Sequence, residues 1–505
     1  MPEQRAASPP GSSPTVGLAR RLLGGFRPAY LPVLVTYFCY GASAITGVAL
    51  VFFQKDAIGL TPAEVAGIGF WVGLPWSMKM VAGVASDVYP ILGSRRVAYL
   101  LLGALCSLVG YLALATVIET KGAFLLAMVL VAVGFMIQDV VADALSVEVA
   151  ETDEEIGQIQ ALGRMALLVG SISVGYLGGW LAGRIGPRGV FAVAMILPLI
   201  VAGSAASVRR RASARVVPTD GGPLVGGKAR LVMGVGLSYA ALGVLLEAFE
   251  VPFAQEIILV VSGALIGLLL NRVGISRGVV VAACVIFLFR ATPGVGQGYA
   301  YWAIDRLGFD QEFLGILAQV SSILSLAGLL VFRKTIINRP VSFTLFWVVL
   351  AGSVLYLPTI GLFYGANEWL GISPRTFAFI DTTISAPLGQ LTMVPILVLI
   401  AKTAPPGAEA TMFAIMASLM NLALSASELF TRHLNTAFDV TQQDYSNLGR
   451  LIITVGVIGL LPLMALPLLR RQERSGARGG SSGAHRAQAR DPLLDRRVGR
   501  EEPEQ

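Results

Sequence analysis

The chain alternates between long apolar runs and short polar segments. Fourteen of the runs come close to the ~20 residues that an α-helix needs to cross about 30 Å of hydrocarbon. They are grouped as six, two and six. The predicted spans are 29–53, 63–86, 97–118, 123–147, 159–183, 187–207, 231–248, 252–271, 278–304, 310–332, 340–364, 375–401, 408–431 and 448–469. This pattern predicts an all-α, polytopic membrane protein with two six-helix bundles.

The polar segments divide the chain into units. The predicted units are a disordered cytosolic tail at 1–28, a bundle at 29–207, a cytosolic linker at 208–230, two extra membrane helices at 231–273, a second bundle at 274–470 and a disordered cytosolic tail at 471–505. The middle pair fits either two full spans or one hairpin that lies partly in the interface. Because Glu247, Glu250 and Pro252 interrupt the run, a single long span is disfavoured.

Composition supports a membrane location. Of the 505 residues 55% are hydrophobic and 14% are charged, whereas soluble domains average about 25% charged residues. The net charge of +7 does not indicate nucleic-acid binding, because the basic residues lie in the tails and in loops that follow even-numbered spans. That distribution places both termini in the cytosol, and we expect a multi-pass protein of a bacterial inner membrane. The acidic exit of span 4, which carries Glu148 and Glu151, is the exception.

A short motif recurs at the first loop of each bundle. Ile58-Gly59-Leu60 leads through Thr61 to Glu64, and Leu307-Gly308-Phe309 leads through Asp310 to Glu312. Each copy runs from a glycine step through a candidate helix N-cap to an acid. Such repeats are typical of transporters whose halves rock around a central site.

The loop between spans 2 and 3 carries the strongest motif, from Gly83 to Arg96. Asp87 at a helix end can accept hydrogen bonds from a neighbouring helix N-terminus, and Arg95 and Arg96 can pair with acids or lipid phosphates. The motif resembles the loop 2/3 motif of the major facilitator superfamily. It predicts a conformational latch made of these three side chains, although a simple turn with orienting arginines would also fit.

Charges within the predicted spans identify candidate site residues, because an intramembrane charge costs roughly 2.5–3.5 kcal/mol on insertion scales. Lys79 in span 2 fits a buried, paired lysine or one that extends to the interface. Asp139 and Asp143 share a face of span 4. They fit proton-coupling carboxyls or a structural salt bridge, with Lys79 as a possible partner of either.

A second group of candidates lies around a predicted helix break. Arg290 is followed by Pro293 and three glycines, and interrupted helices are tolerated where they face a cavity or protein. The predicted substrate-binding residues are Lys79, Arg164, Arg290, Gln297, Tyr299, Trp302 and Asp381. Guanidinium and aromatic groups together suit a planar organic anion. A kinked packing helix with an aromatic belt is the alternative.

Other chemistries have little support in the sequence. Cys39, Cys106 and Cys284 lie in apolar runs without CxxC spacing, and the two histidines are too few for a metal cluster. A nucleotide-binding GxxxxGK[ST] loop and a Ser/His/Asp set are both missing from the sequence. We therefore expect neither a cofactor, nor a metal, nor enzymatic activity.

Several stretches together resemble the folate-biopterin transporter family, a branch of the major facilitator superfamily. They are Pro75-Trp76 with Lys79, Ser86-Asp87 to Arg96, Asp139 to Asp143 with Glu148, Ala291-Thr292-Pro293, and Leu307 to Gly315. The resemblance implies a secondary transporter that takes up folate- or pterin-like organic anions by alternating access, driven by protons. Arg290 and Met80 depart from residues common in the family. A transporter-fold assembly or pigment-delivery factor, or a carrier of an unrelated organic solute, remains the alternative.

Overall fold

The computed structural model describes residues 27–91, 93–212, 227–273, 276–389, 391, 393–403 and 409–473. Most of the two predicted tails and of the linker lies outside these residues. Twelve helices of the described residues are long and apolar enough to cross a membrane. They are Pro28–Ala57, Pro62–Val88, Val97–Thr116, Lys121–Val149, Glu154–Ala205, Arg230–Ala248, Ala254–Arg272, Gln311–Phe332, Val341–Phe363, Pro374–Thr403, Met412–Ala437 and Leu448–Glu473.

Two local breaks reconcile these twelve helices with the predicted fourteen spans. The 52-residue segment Glu154–Ala205 contains spans 5 and 6, because Gly186 has φ 70° and is followed by Pro187. Span 9 consists of two shorter helices, Arg277–Arg290 and Gln297–Leu307, separated by the predicted break. The all-helical, polytopic architecture is confirmed. The middle pair forms two separate helices, which we number spans 7 and 8.

The repeated motif has the same geometry in both halves. Gly59 and Gly308 have φ 75° and 66°, which favours glycine at a helix C-terminus. The next residue, Leu60 or Phe309, donates its amide to a carbonyl six residues earlier. Thr61 and Asp310 then cap the following helices. At Asp310, burial opposes ionisation, but the Phe313 amide and Arg375 outweigh it and lower the carboxyl pKa.

Two helix pairs join the halves, span 2 with span 13 and span 5 with span 10. In the second pair, the backbones of Gly179 and Gly315 approach so closely that a methyl group on Gly179 would lie 2.6 Å from the Gly315 Cα. A methyl group on Gly175 would similarly lie 2.9 Å from the Gln319 Cα. Gly175, Gly179 and Gly183 recur every fourth residue and form a glycine row in span 5. Its first two members serve close helix packing.

The same glycine row supplies a matched pair of variants. We expect Gly179→Ala to reduce uptake strongly, since the added methyl forces spans 5 and 10 apart at a cost of about 1–3 kcal/mol. Gly183→Ala is the control, because its methyl would meet only the Gln311 Cβ, at 3.9 Å. Thermal unfolding and substrate uptake of both variants check this expectation. Equal behaviour of the two would contradict it.

The bundle has two polar ends. We call the end that carries Asp87, Arg96 and Glu148 the Arg96 face, and the end that carries Lys55, Leu60 and Asp305 the Lys55 face. At the Lys55 face, the Lys55 Nζ lies 2.7 Å from an Asp305 carboxylate oxygen, and Gln442 donates to the Leu60 carbonyl at 2.7 Å. These contacts tie the first half to the second at this end.

Candidate functional site

A kink in span 2 positions the lysine of the site. Pro75 cannot donate a backbone hydrogen bond, and the helix is interrupted at Met78, between Pro62–Ser77 and Lys79–Val88. Lys79 thereby begins a new helical segment within the membrane and forms an ion pair with Asp139 of span 4. The lysine side chain is 33% exposed, whereas that of Asp139 is 6% exposed. The structure shows the pairing of Lys79 with Asp139, but the lysine side chain is only partly buried.

An aromatic wall lies beside this ion pair. The Lys79 Nζ is 4.8 Å from the centre of the Trp76 ring, and Trp76 stacks on Tyr40 at a centroid distance of 5.3 Å and an angle of 20°. Asn421 of span 13 donates to the Trp76 carbonyl at 3.0 Å. Through Trp76, the aromatic wall is therefore in contact with the second half of the protein.

The second acid of span 4 has different partners. The Tyr37 hydroxyl donates to Asp143, and the Gln160 amide donates to it at 3.3 Å. Arg164 of span 5 lies over the Tyr37 ring at 5.9 Å and within electrostatic range of Asp139. Asp139, Asp143, Lys79 and Arg164 thus form one network in the first half.

Side chains of span 13 form hydrogen bonds with the backbone at the break in span 9. Ser427 donates to the Thr292 carbonyl at 2.7 Å, and Thr431 accepts from the Gly294 amide at 2.9 Å. Asn435 then donates to the Val295 carbonyl at 3.0 Å. These three polar residues recur every fourth position of span 13, so they satisfy the backbone groups that the break leaves free.

The predicted residues of the second half do not all come together. Arg290 ends the first segment of span 9, and its buried Nε has no hydrogen-bond partner among the described residues. Gln297 begins the second segment. Tyr299 and Trp302 pack together at 5.4 Å, and Trp302 is 7% exposed within a hydrophobic cluster. Asp381 lies within electrostatic range of Tyr299.

The contact line between spans 2 and 13 was missed by sequence reasoning. A methyl group added at Gly73 or at Gly69 would lie 2.9 Å from a span 13 oxygen, of Ser425 and Glu428 respectively. Glu428 therefore faces span 2 of the first half. In the part of the chain that the structure describes, it has no ion-pair partner. In the sequence, only the four-residue spacing of Gly69 and Gly73 in span 2 indicates a close helix contact.

The predicted latch residues lie at the Arg96 face. Arg96 pairs with Asp87 and with Glu148 at 2.7 Å each and donates to the Ser86 hydroxyl at 2.7 Å. The cluster joins the ends of spans 2, 3 and 4, which all belong to the first half. Arg95 precedes Arg96 in the same loop. A role of the three residues in switching stays a prediction.

Taken together, the geometry suits recognition of an organic anion. Lys79 and Arg290 supply cations within the membrane, one in each half. Tyr40 and Trp76 offer an aromatic surface next to the Lys79 ammonium, which is the arrangement that a planar ring with a carboxylate needs. The described residues contain no group of three or more His, Cys, Asp or Glu side chains that could hold a metal ion.

Comparisons with known proteins agree with this architecture. A model described as the BT1 family matches residues 41–487. A folate-biopterin transporter from Synechocystis sp. is 30% identical over 456 residues, which cover 90% of this chain and 84% of that protein. Folate transporter 2 of Plasmodium falciparum is 23% identical over 467 residues, or 90% and 91% of the two chains.

Solved structures show the same fold. A POT family transporter in complex with a thioalcohol-conjugated peptide superposes with a TM-score of 0.68 over 88% of this chain and 96% of that one, at 14% identity. A bacterial homologue of the human peptide transporters PepT1 and PepT2 gives a TM-score of 0.60 at 18% identity. The fold is that of a major-facilitator transporter.

Proposed function

Because the chain belongs to the BT1 family of transporters, we propose that it takes up folate- or pterin-like organic anions by proton-coupled alternating access. The observation that carries this proposal is the Lys79–Asp139 ion pair beside the Tyr40–Trp76 stack. It combines a cation that can be released to a ligand with a surface for a planar ring. The names of the curated relatives support the substrate class.

The proposed proton coupling arises because Asp139 and a carboxylate of the substrate compete for Lys79. While Asp139 is ionised, it neutralises the ammonium group and weakens the attraction of a substrate carboxylate. A proton on Asp139 frees Lys79 to bind the anion, so proton and anion binding favour each other. Asp143 lies one turn further along span 4, and we assign it to proton coupling together with Asp139. Arg164 balances the remaining charge of this network.

The second half contributes Arg290 as a further anion-binding group. Its guanidinium has unused donor capacity at Nε, and Gln297, Tyr299, Trp302 and Asp381 lie on the neighbouring segments. We assign these four to the substrate side of the second half. We orient the Arg96 face toward the cytosol of a bacterial inner membrane and assign Asp87, Arg95 and Arg96 to the latch of that side.

Uptake by proteoliposomes tests the function. We expect labelled folate or biopterin to accumulate only when the outside is more acidic than the inside. Equal uptake with and without the gradient would rule out proton coupling. Uptake of other organic anions, but not of folates or pterins, would rule out the proposed substrate class.

The anion site of the second half has its own prediction. We expect Arg290→Ala to weaken substrate binding about tenfold or more, since a hydrogen bond to a charged group contributes roughly 1.5–3 kcal/mol. Arg277→Ala, at the exposed start of the same helix, is the control and should bind normally. Equilibrium binding to the purified variants measures this. Unchanged affinity of the Arg290 variant would remove it from the site.

A further inference from the structure

Between spans 7 and 8 lies an open groove that the transport site does not use. The two helices meet where the Tyr239 hydroxyl contacts the Ser262 hydroxyl. Beside this contact lies a cavity of about 480 Å³. Its lining includes Arg230, Leu231, Val235, Leu242, Val261 and Leu265. We call it the span 7–8 groove.

The groove extends along span 7 through about one leaflet of the membrane. Arg230 begins the membrane-spanning part of span 7 at the Arg96 face, and Leu242 lies twelve residues further along. At 1.5 Å per residue this distance is about 18 Å, slightly more than half of the ~30 Å hydrocarbon core. A molecule in the groove would therefore reach from the membrane surface to the bilayer centre.

The lining selects the chemical class of the occupant. Leu231, Val235 and Leu265 give apolar walls that suit an acyl chain, and Ser238 and Tyr239 also line the groove. Arg230 adds a positive charge at the membrane-surface end. The acids of the hairpin, Glu247, Glu250 and Glu256, lie at or near its turn, at the opposite end of both helices. Arg230 is thus placed to attract an anionic headgroup at its own end.

We propose that the span 7–8 groove binds one anionic glycerophospholipid, with its phosphate at Arg230 and an acyl chain along Val235 and Val261. This binding does not depend on the transported substrate. Lipid binding affects the first half of the protein through span 7, because span 7 packs on span 2. A methyl group on Gly236 would lie 2.6 Å from Val81, and one on Gly243 would lie 3.3 Å from Trp71. The bound lipid stabilises span 7 against the helix that carries Lys79.

The test compares lipids on the delipidated full-length protein. Phosphatidylglycerol should raise the thermal unfolding temperature more than phosphatidylcholine does, and inorganic phosphate alone should not raise it. Native mass spectrometry should detect one retained phosphatidylglycerol per protein. Equal effects of the two lipids, or a phosphate effect as large as that of phosphatidylglycerol, would overturn the proposal.

Variants separate the headgroup from the acyl chain. Arg230→Gln should bind phosphatidylglycerol about fivefold more weakly, since one basic residue near the surface contributes about 1 kcal/mol. Val261→Trp fills the groove and should abolish lipid retention with Arg230 intact. Arg277→Gln, an exposed arginine at the same face but outside the groove, should keep wild-type binding. Retention of lipid preference by Arg230→Gln, or of lipid by Val261→Trp, contradicts the assignment.

Discussion

Lys79→Gln is expected to abolish substrate uptake, because it removes the partly exposed cation of the first half and breaks its ion pair with Asp139. The Asp139 side chain is 6% exposed and that of Lys79 is 33% exposed, so breaking this partly buried pair costs less than the about 3–5 kcal/mol of a fully buried one. The variant should therefore unfold at a lower temperature unless Asp139 takes up a proton. Substrate binding, counterflow and gradient-driven accumulation should all be lost.

Asp139→Asn should give a different result. Lys79 stays in place and free, so substrate binding and counterflow should persist while accumulation driven by a proton gradient disappears. The double variant Lys79→Gln/Asp139→Asn removes both charges. It should recover most of the stability lost in Lys79→Gln, as a double-mutant cycle of thermal unfolding would show, but not uptake. Normal accumulation by Asp139→Asn, or transport by the double variant, would contradict the proposed exchange of partners at Lys79.

The parts of the fold that were predictable from sequence depend on local physics. Hydrocarbon thickness sets the length of each apolar run, so the spans could be placed from hydropathy alone. The break after Arg290 followed from proline and glycine, and the two N-caps followed from Thr61 and Asp310. The pairing of Lys79 could be predicted from the sequence because charges within apolar helices are few and each needs a partner.

Contacts between the halves could not be predicted in the same way. Glu428 lies near a helix end, where an acid is ordinary, and only the packing of span 13 on span 2 places it against Gly69. Lys55 and Asp305 likewise lie at helix ends, 250 positions apart. No local pattern distinguishes such a pair from solvated surface charges. Only the tertiary structure brings these residues into contact.

The Lys55–Asp305 pair is the basis of a second large expected effect. The Lys55 side chain is 11% exposed, and the Tyr445 hydroxyl donates to Asp305 at 2.6 Å. Lys55→Glu replaces attraction by repulsion and should open the Lys55 face. The Asp305 side chain is 31% exposed, so the pair is only partly buried. At about 2 kcal/mol, between the values for exposed and buried pairs, the open population would rise roughly 30-fold relative to the closed one.

Thiol labelling measures this opening. Leu60 is 3% exposed at the Lys55 face, so a Leu60→Cys reporter in a background without Cys39, Cys106 and Cys284 should react slowly with a membrane-impermeant reagent. Lys55→Glu should accelerate labelling and impair uptake, whereas the charge-swapped Lys55→Glu/Asp305→Lys should restore slow labelling. Tyr445→Phe removes one hydrogen bond of about 1 kcal/mol and should change the rate several-fold at most. If the swap stayed as open as the single variant, closure of this face would depend on helix packing at Gly179 rather than on the ion pair.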